Sequence, residues 1–185
     1  MKSNRRDIII AGLGIGTGIT GTLITASKTQ NFSMDSDDKQ LAIKVGSLKD
    51  GSVIAFEWSG YSFYILKRTP AMLDSLTVIE KDLKDPESEG SIQPENCLNR
   101  HRSIKEDILV IYNLCTRVGH PLQVNNNPEK EYLENVGFYC PLDGSRYDFA
   151  GRSLKGNPGG PNLYVPHYYF KDDQTLVIEK DILKI

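Results

Sequence analysis

The sequence predicts a mostly β domain of antiparallel sheets, preceded by one N-terminal transmembrane helix. Short apolar segments of strand length, such as Tyr61–Lys67, recur through most of the chain. Turn sequences with glycine, such as Ser59-Gly60, separate neighbouring segments by only a few residues, which favours antiparallel hairpins. The helix is predicted from a single uncharged segment near the N-terminus, residues 8–26.

Composition restricts the possible classes of protein. With 185 residues and 39% hydrophobic content, the chain is long enough for one domain of ordinary size and an additional terminal element. The net charge is -2 and charges of both signs are interspersed, so we expect no binding to nucleic acid. Three cysteines are an odd number, which excludes a fully paired disulfide scaffold.

Residues 1–26 are predicted to be a signal or membrane anchor. Residues 3–9, with the pair Arg5 and Arg6, resemble a twin-arginine export signal. The uncharged segment that follows spans about 28 Å as a helix, enough to cross the hydrocarbon core of a bilayer. We expect it to be kept as a single anchor with the arginines on the cytoplasmic side, although cleavage near Thr25-Ala26-Ser27 is an alternative.

A polar segment, residues 27–40, is predicted to be a flexible tether, and residues 41–185 to be the β domain. Alternation in Val53, Ala55 and Glu57 indicates a strand with one face in a core. The strands expected in this domain are residues 41–45, 52–58, 61–67, 108–112, 136–139, 163–170 and 175–179.

Three other segments are predicted to differ from strands. Thr69 followed by Pro70 is typical of a helix start, and we expect a short helix to about Leu83. Residues 85–102 are polar and contain two prolines, which indicates a surface excursion. Residues 156–161 form a proline-glycine loop.

Two short boxes carry the candidate chemistry. The first is Cys115-Thr116-Arg117-Val118-Gly119-His120 and the second is Cys140-Pro141-Leu142-Asp143-Gly144-Ser145-Arg146-Tyr147-Asp148. Each box begins with a cysteine after an apolar segment and turns on a glycine, so we expect two similar loops that bring two thiols together. A pair of such loops is typical of a metal site.

The boxes resemble those of the Rieske iron-sulfur subunit of ubiquinol-cytochrome c reductase, a cytochrome bc-type complex. The resemblance extends along nearly the whole chain. Other matching segments are Lys67-Arg68-Thr69-Pro70, Arg102-Ser103-Ile104-Lys105, Ala150-Gly151-Arg152, Lys155-Gly156 and Val165-Pro166. The resemblance implies Rieske-type antiparallel β-sheets with a small cluster-binding subdomain, residues 114–163.

In that family the boxes are C-T-H-x-G-C and C-P-C-H-G-S-x-Y-D, and they hold a 2Fe-2S cluster through two cysteines and two histidines. The resemblance therefore implies that Cys115 and Cys140 are metal ligands. Arg117 and Asp143 stand at the histidine positions. The two cysteines that form a disulfide in the family are replaced by His120 and Leu142.

Other family positions are retained. Ser145 and Tyr147 lie where the family donates hydrogen bonds to a bridging sulfide and to a ligand cysteine. Pro158 belongs to the loop that covers the cluster in the family. The resemblance thus implies that these three residues contact the cofactor.

Arg117 has no lone pair to donate to a metal, but Asp143 and His120 are speculative replacement ligands beside the two cysteines. A second interpretation is a site without a cluster, in which Cys115 and Cys140 form a disulfide. In that case we expect Arg117 and Asp143 to form an ion pair.

The resemblance implies electron transfer from ubiquinol toward cytochrome c, with cytochrome b and cytochrome c1 as partner subunits. It places the protein in the inner (cytoplasmic) membrane as a single-pass protein with the β domain on the periplasmic side. The alternative function is that of a cluster-free paralogue with a structural, assembly or binding role at the membrane.

Overall fold

The computed structural model describes residues 34–36, 39–125, 136–156 and 158–180. In these ranges ten strands form three sheets in which all neighbours are antiparallel, as predicted. The strands are β1 (Met34–Ser36), β2 (Gln40–Lys44), β3 (Val53–Trp58), β4 (Tyr61–Lys67), β5 (Ile108–Tyr112), β6 (Gln123–Val124), β7 (Phe138–Tyr139), β8 (Arg146–Tyr147), β9 (Tyr168–Asp172) and β10 (Thr175–Glu179).

The three sheets differ in size and in the part of the chain that forms them. One sheet has the order β1-β2-β10-β9, so the last hairpin of the described chain pairs with its first strands. A second sheet has the order β3-β4-β5, and a small third sheet has the order β6-β7-β8. Because β5 leads into the first box and β7 into the second, the second and third sheets position the two cysteines.

The predicted strands at Tyr61–Lys67, Ile108–Tyr112 and Thr175–Glu179 are confirmed residue for residue. The strand predicted at 163–170 is instead β9 and begins only at Tyr168. Pro166 has no N–H to donate to a neighbouring strand, which explains why regular pairing begins after it.

The alternation predicted for β3 is confirmed, and the structure shows which of its two faces lies in the core. Ile54 and Phe56 are buried, whereas Val53 and Ala55 are half-buried and Glu57 is exposed. Because all four residues before Glu57 are apolar, the sequence pattern does not reveal which face is buried. Pairing with β4 decides it, since the register places Ile54 opposite Ile65.

The first sheet begins earlier in the chain than the predicted domain. Strand β1 lies within residues 27–40 and pairs with β2, so part of the predicted tether belongs to a sheet. No helix of the described ranges combines the length and hydropathy needed to cross a membrane. The predicted anchor, residues 1–26, lies outside the described residues.

The single α-helix of the described chain, α1, spans Pro70–Val78. Thr69 caps it as predicted, because its hydroxyl accepts a hydrogen bond of 3.2 Å from the backbone N–H of Met72. The helix ends before the predicted Leu83, and a 3-10 turn at Glu80–Asp82 follows.

Residues 85–102 are not a simple surface excursion. Cys97 and Arg102 are fully buried. The Arg102 guanidinium donates to Gln93 Oε1 at 2.7 Å and to the backbone carbonyl oxygens of Ala150 and Gly151 at 3.3 Å. This segment therefore supports the region that follows the second box.

Candidate metal centre

The two boxes form loops with the same hydrogen-bond pattern. In the first loop the Cys115 N–H donates to the His120 carbonyl, and the Gly119 N–H donates to the Cys115 carbonyl, both at 2.9 Å. In the second loop the Cys140 N–H donates to the Ser145 carbonyl at 2.8 Å, and the Gly144 N–H donates to the Cys140 carbonyl at 2.9 Å. The prediction of two similar loops is confirmed.

Glycine is required where each loop turns back. Gly119 and Gly144 have φ angles of 69° and 75°, in the left-handed region that side chains with a Cβ disfavour. Each glycine lies four residues after its cysteine. The equal spacing gives the two thiols equivalent positions in their loops.

The loops bring three potential metal-ligating side chains together. A sulfur of Cys115, a sulfur of Cys140 and a carboxylate oxygen of Asp143 all lie within 4.8 Å of one another. The Cys115 Sγ and Asp143 Oδ1 atoms are 4.0 Å apart. Both cysteines are buried and are free thiols, so the alternative disulfide between them is not present in the structure.

The expected ion pair between the replaced histidine positions is confirmed. Arg117 Nη1 lies 3.2 Å from Asp143 Oδ2. The Arg117 side chain is 49% exposed and that of Asp143 is 9% exposed, so the carboxylate lies inside the site and the guanidinium covers it from outside.

Ser145 fixes the orientation of the Asp143 carboxylate. The Ser145 backbone N–H donates to Oδ1 at 2.9 Å, and its hydroxyl donates to Oδ2 at 2.8 Å. Burial raises the pKa of Asp143, but the hydrogen bonds from Ser145, Cys140 and Arg117 outweigh it and hold the pKa at about 2. Asp143 is therefore an anion at neutral pH.

The two thiols have different environments. Burial raises the pKa of Cys115, but the backbone N–H groups of Arg117 and Val118 and the Tyr147 hydroxyl outweigh this, so that the pKa lies below its usual value. At Cys140 burial dominates and raises the pKa to about 11. Cys115 is thus the thiol that ionises more readily.

Tyr147 links the two boxes at the back of the site. Its fully buried hydroxyl lies 3.6 Å from Cys115 Sγ and 3.1 Å from Thr116 Oγ1. The resemblance implies a contact between this tyrosine and the cysteine at position 115, and the structure contains that contact. Burial, followed by its contact with Cys115, raises the pKa of Tyr147.

The proline-glycine loop packs on the first box. The Thr116 hydroxyl donates to the Pro161 carbonyl at 2.6 Å, and a Cβ placed on Gly160 would lie 3.0 Å from the Thr116 carbonyl oxygen. Lys84 Nζ also donates to the Gly159 carbonyl. Pro158 is exposed, so the described contacts with the site come from its neighbours.

The structure does not bring every predicted residue to the site. His120 is not part of the group formed by Cys115, Cys140 and Asp143. Its Nδ1 atom instead pairs with the Pro121 carbonyl at 2.8 Å. His120 as a replacement ligand therefore stays a prediction without a contact that supports it.

Sequence reasoning missed two contributors to the site. Thr116 contacts both Tyr147 and the proline-glycine loop, here also called the covering loop. Gly160 has no side chain and so allows this loop to approach Thr116 closely. For Gly160 the available signal was its position in the loop 156–161, in which glycines permit close packing of backbones.

Antiparallel sheets that carry two glycine-turned loops with facing cysteines are the arrangement expected of a Rieske-type domain. Comparison with known proteins identifies the relatives. The chain is 29% identical over 184 residues to the ubiquinol-cytochrome c reductase iron-sulfur subunit of Allochromatium vinosum, covering 96% of this chain and 89% of that protein. It is also 29% identical over 184 residues to the protein of the same name from Rhodospirillum rubrum, covering 92% of it.

Mitochondrial proteins are similar as well. The chain is 29% identical over 152 residues to the cytochrome b-c1 complex subunit Rieske of Candida albicans, and it spans 63% of that protein's length. No protein-family model matches the chain. The predicted recognition is confirmed: the homologues of this chain are Rieske iron-sulfur subunits of ubiquinol-cytochrome c reductase.

The residues at the site do not fit the four-ligand cluster of that family. Cys115 and Cys140 suit the two thiolate positions. At the nitrogen positions, however, Arg117 carries a guanidinium without a lone pair, and Asp143 offers a carboxylate oxygen in place of a nitrogen. One iron of a two-histidine cluster would therefore lack its nitrogen ligands.

Proposed function

We propose that this chain serves as the Rieske-type subunit of a ubiquinol-cytochrome c reductase complex, in contact with cytochrome b and cytochrome c1. The observation that carries the proposal is similarity along 96% of the chain to a subunit of the same complex, 89% of which is covered. The antiparallel sheets and the two loops that carry Cys115 and Cys140 support it, since the resemblance implies both features.

The proposal extends to the membrane. Residues 1–26 would anchor the chain in the inner membrane as a single span, and residues 27–40 would lead to a β domain on the periplasmic side. The sequence pattern supports this part of the proposal through the paired arginines and the uncharged segment.

Within such a complex we assign the chain a structural or assembly role. The Arg117–Asp143 ion pair stands where a two-histidine cluster needs its two nitrogen ligands. The chain therefore lacks the ligands of the cluster that would accept an electron from ubiquinol. Within this ion pair Arg117 balances the charge of the Asp143 carboxylate. A subunit of this kind would occupy its place beside the cytochromes without carrying the electron.

A second candidate function is electron transfer from ubiquinol toward cytochrome c through a 2Fe-2S cluster with altered ligands. The proximity of Cys115, Cys140 and Asp143 favours it, and Ser145, Tyr147 and Pro158 would then be the cofactor-binding residues. A carboxylate ligand would lower the reduction potential relative to two imidazoles. His120 would have to move to supply a fourth ligand.

Association is tested by purifying the tagged full chain from its membranes in mild detergent. We expect cytochrome b and cytochrome c1 to copurify. Leu142, which is 65% exposed in the second loop, is the site for a variant: Leu142→Glu should weaken copurification if this loop faces a partner.

The matched control is Leu98→Glu, because Leu98 is also apolar and 59% exposed but lies outside the two loops. We expect this variant to copurify like the unmodified chain. Absence of both cytochromes from the unmodified preparation would refute the assignment to the complex. An iron and acid-labile sulfide assay on the same preparation separates the two functions, because two of each per chain would support the second candidate.

A further inference from the structure

The geometry points to a site for a single divalent metal ion, formed by Cys115, Cys140 and Asp143. We propose that this chain binds one zinc-like ion where its relatives are named for an iron-sulfur centre. The inference goes beyond the proposed function and holds whether or not the chain associates with the cytochromes.

The distances suit one ion. A tetrahedral ion with thiolate sulfur at about 2.3 Å and carboxylate oxygen at about 2.0–2.2 Å has neighbouring ligand atoms about 3.5–3.8 Å apart. The three ligand atoms lie within 4.8 Å of one another, and Cys115 Sγ is 4.0 Å from Asp143 Oδ1. Contraction of at most about 1.3 Å, possible through side-chain rotation, reaches the coordination distances.

The number and kind of ligands favour one ion over a cluster. Two thiolates and one carboxylate are the donor types that zinc takes, and three protein ligands leave one position for water or an exogenous ligand. A 2Fe-2S cluster instead requires two ligands on each iron. Among the described residues, no further histidine, cysteine or acidic side chain joins the group.

The surroundings hold the ligands in position. Ser145 donates two hydrogen bonds to the Asp143 carboxylate, and Arg117 Nη1 donates a third at 3.2 Å. Carboxylate ligands of metal sites are commonly oriented by hydrogen bonds of this kind. In addition, each loop holds its cysteine backbone by two hydrogen bonds. Metal binding therefore requires little further ordering of the two loops.

The charges also balance for a single divalent ion. Two thiolates and one carboxylate carry three negative charges, and Arg117 contributes one positive charge at the edge of the site. A divalent ion supplies the remaining two. Arg117, which excludes the nitrogen ligation of the relatives, therefore compensates the charge of this ligand set.

Metal binding is tested on the detergent-solubilised full chain, reduced and freed of metal. Titration with Co²⁺ should give one equivalent bound, with a thiolate-to-cobalt charge-transfer band and the intense visible bands of a tetrahedral ion. Addition of Zn²⁺ should remove both signals. The readout is spectroscopic and requires no enzymatic activity.

Three variants and one control make the result specific. We expect Asp143→Asn and Cys115→Ser to weaken Co²⁺ binding by about 100-fold or more, and Arg117→Gln to weaken it by about 10-fold through the loss of an outer contact. Cys97→Ala is the matched control, since Cys97 is a buried thiol that does not belong to the group, and it should bind like the parent. Because Asp143→Asn keeps the shape of the side chain, it also serves if the cysteine variant does not fold.

Three outcomes would overturn the inference. The first is a reduced chain that binds no Co²⁺, and the second is binding that survives both Asp143→Asn and Cys115→Ser. The third is a preparation that contains two irons and two acid-labile sulfides per chain. The first two leave the association with cytochromes b and c1 intact as a separate question.

Discussion

Asp143 accepts hydrogen bonds within one small site from the backbone N–H and hydroxyl of Ser145 and from Arg117. At the scale of single residues, this network explains how Arg117 and Asp143 can stand together at the two positions where the resemblance implies histidines. An arginine alone would leave an unpaired cation against two buried thiols, and an aspartate alone would leave a buried anion. When both are present, each side chain balances the charge of the other.

The Arg117–Asp143 pair should show a modest coupling energy. A double-mutant cycle with Arg117→Gln and Asp143→Asn should give a coupling of about 0.5–1 kcal/mol in the free energy of unfolding, because Arg117 is half exposed to solvent. Denaturant unfolding of the four proteins measures it. Strictly additive effects would mean that the two side chains do not interact in solution.

Asp148 and Arg152 form a different kind of pair. Arg152 Nε donates to Asp148 Oδ2 at 2.8 Å, and both side chains are fully buried. Asp148→Asn should lower the free energy of unfolding by about 3–5 kcal/mol, because it leaves a buried guanidinium without its counter-ion. Denaturant unfolding at neutral pH checks this value.

The control for Asp148 is the pair Lys105–Asp173, with a separation of 3.7 Å on the surface. Asp173 is fully exposed, so Asp173→Asn should leave stability unchanged within error. An equal loss for the two variants would contradict the assignment of Asp148–Arg152 as the structural pair.

His101 should make stability depend on pH. Burial, followed by the nearby Arg68, lowers the pKa of His101, and Glu106 at 3.9 Å offsets this only in part. The unfolded chain then binds a proton more readily than the folded chain. The contribution of His101 to the free energy of unfolding is therefore fully present above the unfolded pKa of about 6.5. It is lost as the pH falls below that value and through the lower pKa of the folded chain.

The measurement for His101 compares the free energy of unfolding at about pH 8 and at about pH 5 in the parent and in His101→Gln. The variant should show a smaller loss toward acid. A variant with the same pH slope as the parent would show that His101 does not contribute to it.

At the scale of elements, the two loops were the most predictable part of the site. A cysteine after an apolar segment and a glycine four residues later predict the turn from local sequence alone. The covering loop was predictable as an element, but its contact with Thr116 was not, because that contact depends on residues 44 positions away in the chain. The sequence therefore predicts the loops better than the packing between them.

Gly160 is predicted to control how closely the covering loop packs. In Gly160→Ala the new Cβ would lie 3.0 Å from the Thr116 carbonyl oxygen, so one backbone must shift. We expect a loss of about 1–3 kcal/mol in the free energy of unfolding, together with faster alkylation of Cys115 as the cover is displaced.

The matched control is Gly90→Ala. There the new Cβ would lie 3.7 Å from Asp85 Oδ2, an ordinary contact distance. Stability and the alkylation rate should therefore stay close to those of the parent. Unchanged alkylation of Cys115 in Gly160→Ala would show that the loop does not shield that thiol.

At the scale of the whole molecule, the sheets and loops match the architecture that the resemblance implies, whereas residues 117 and 143 are not the histidines that it implies. The antiparallel sheets and both loops were predictable because strand and turn patterns are local. The early strand β1 was not, since Met34–Ser36 contains one apolar residue only, which is too few to give a strand pattern. The burial of Cys97 and Arg102 was likewise not predictable, because both residues lie in a polar segment of the sequence.

The central claim is that the two-loop scaffold of this chain is intact and lacks the two histidines that the resemblance implies at positions 117 and 143. It is tested most directly by measuring iron and acid-labile sulfide in the parent and in the variant Arg117→His with Asp143→His, after identical anaerobic reconstitution. We predict two irons and two sulfides per chain, with a Rieske-like EPR signal on reduction, in the double variant only. Stoichiometric iron and sulfide with such a signal in the parent would contradict the claim, as would a folded double variant that takes up no cluster.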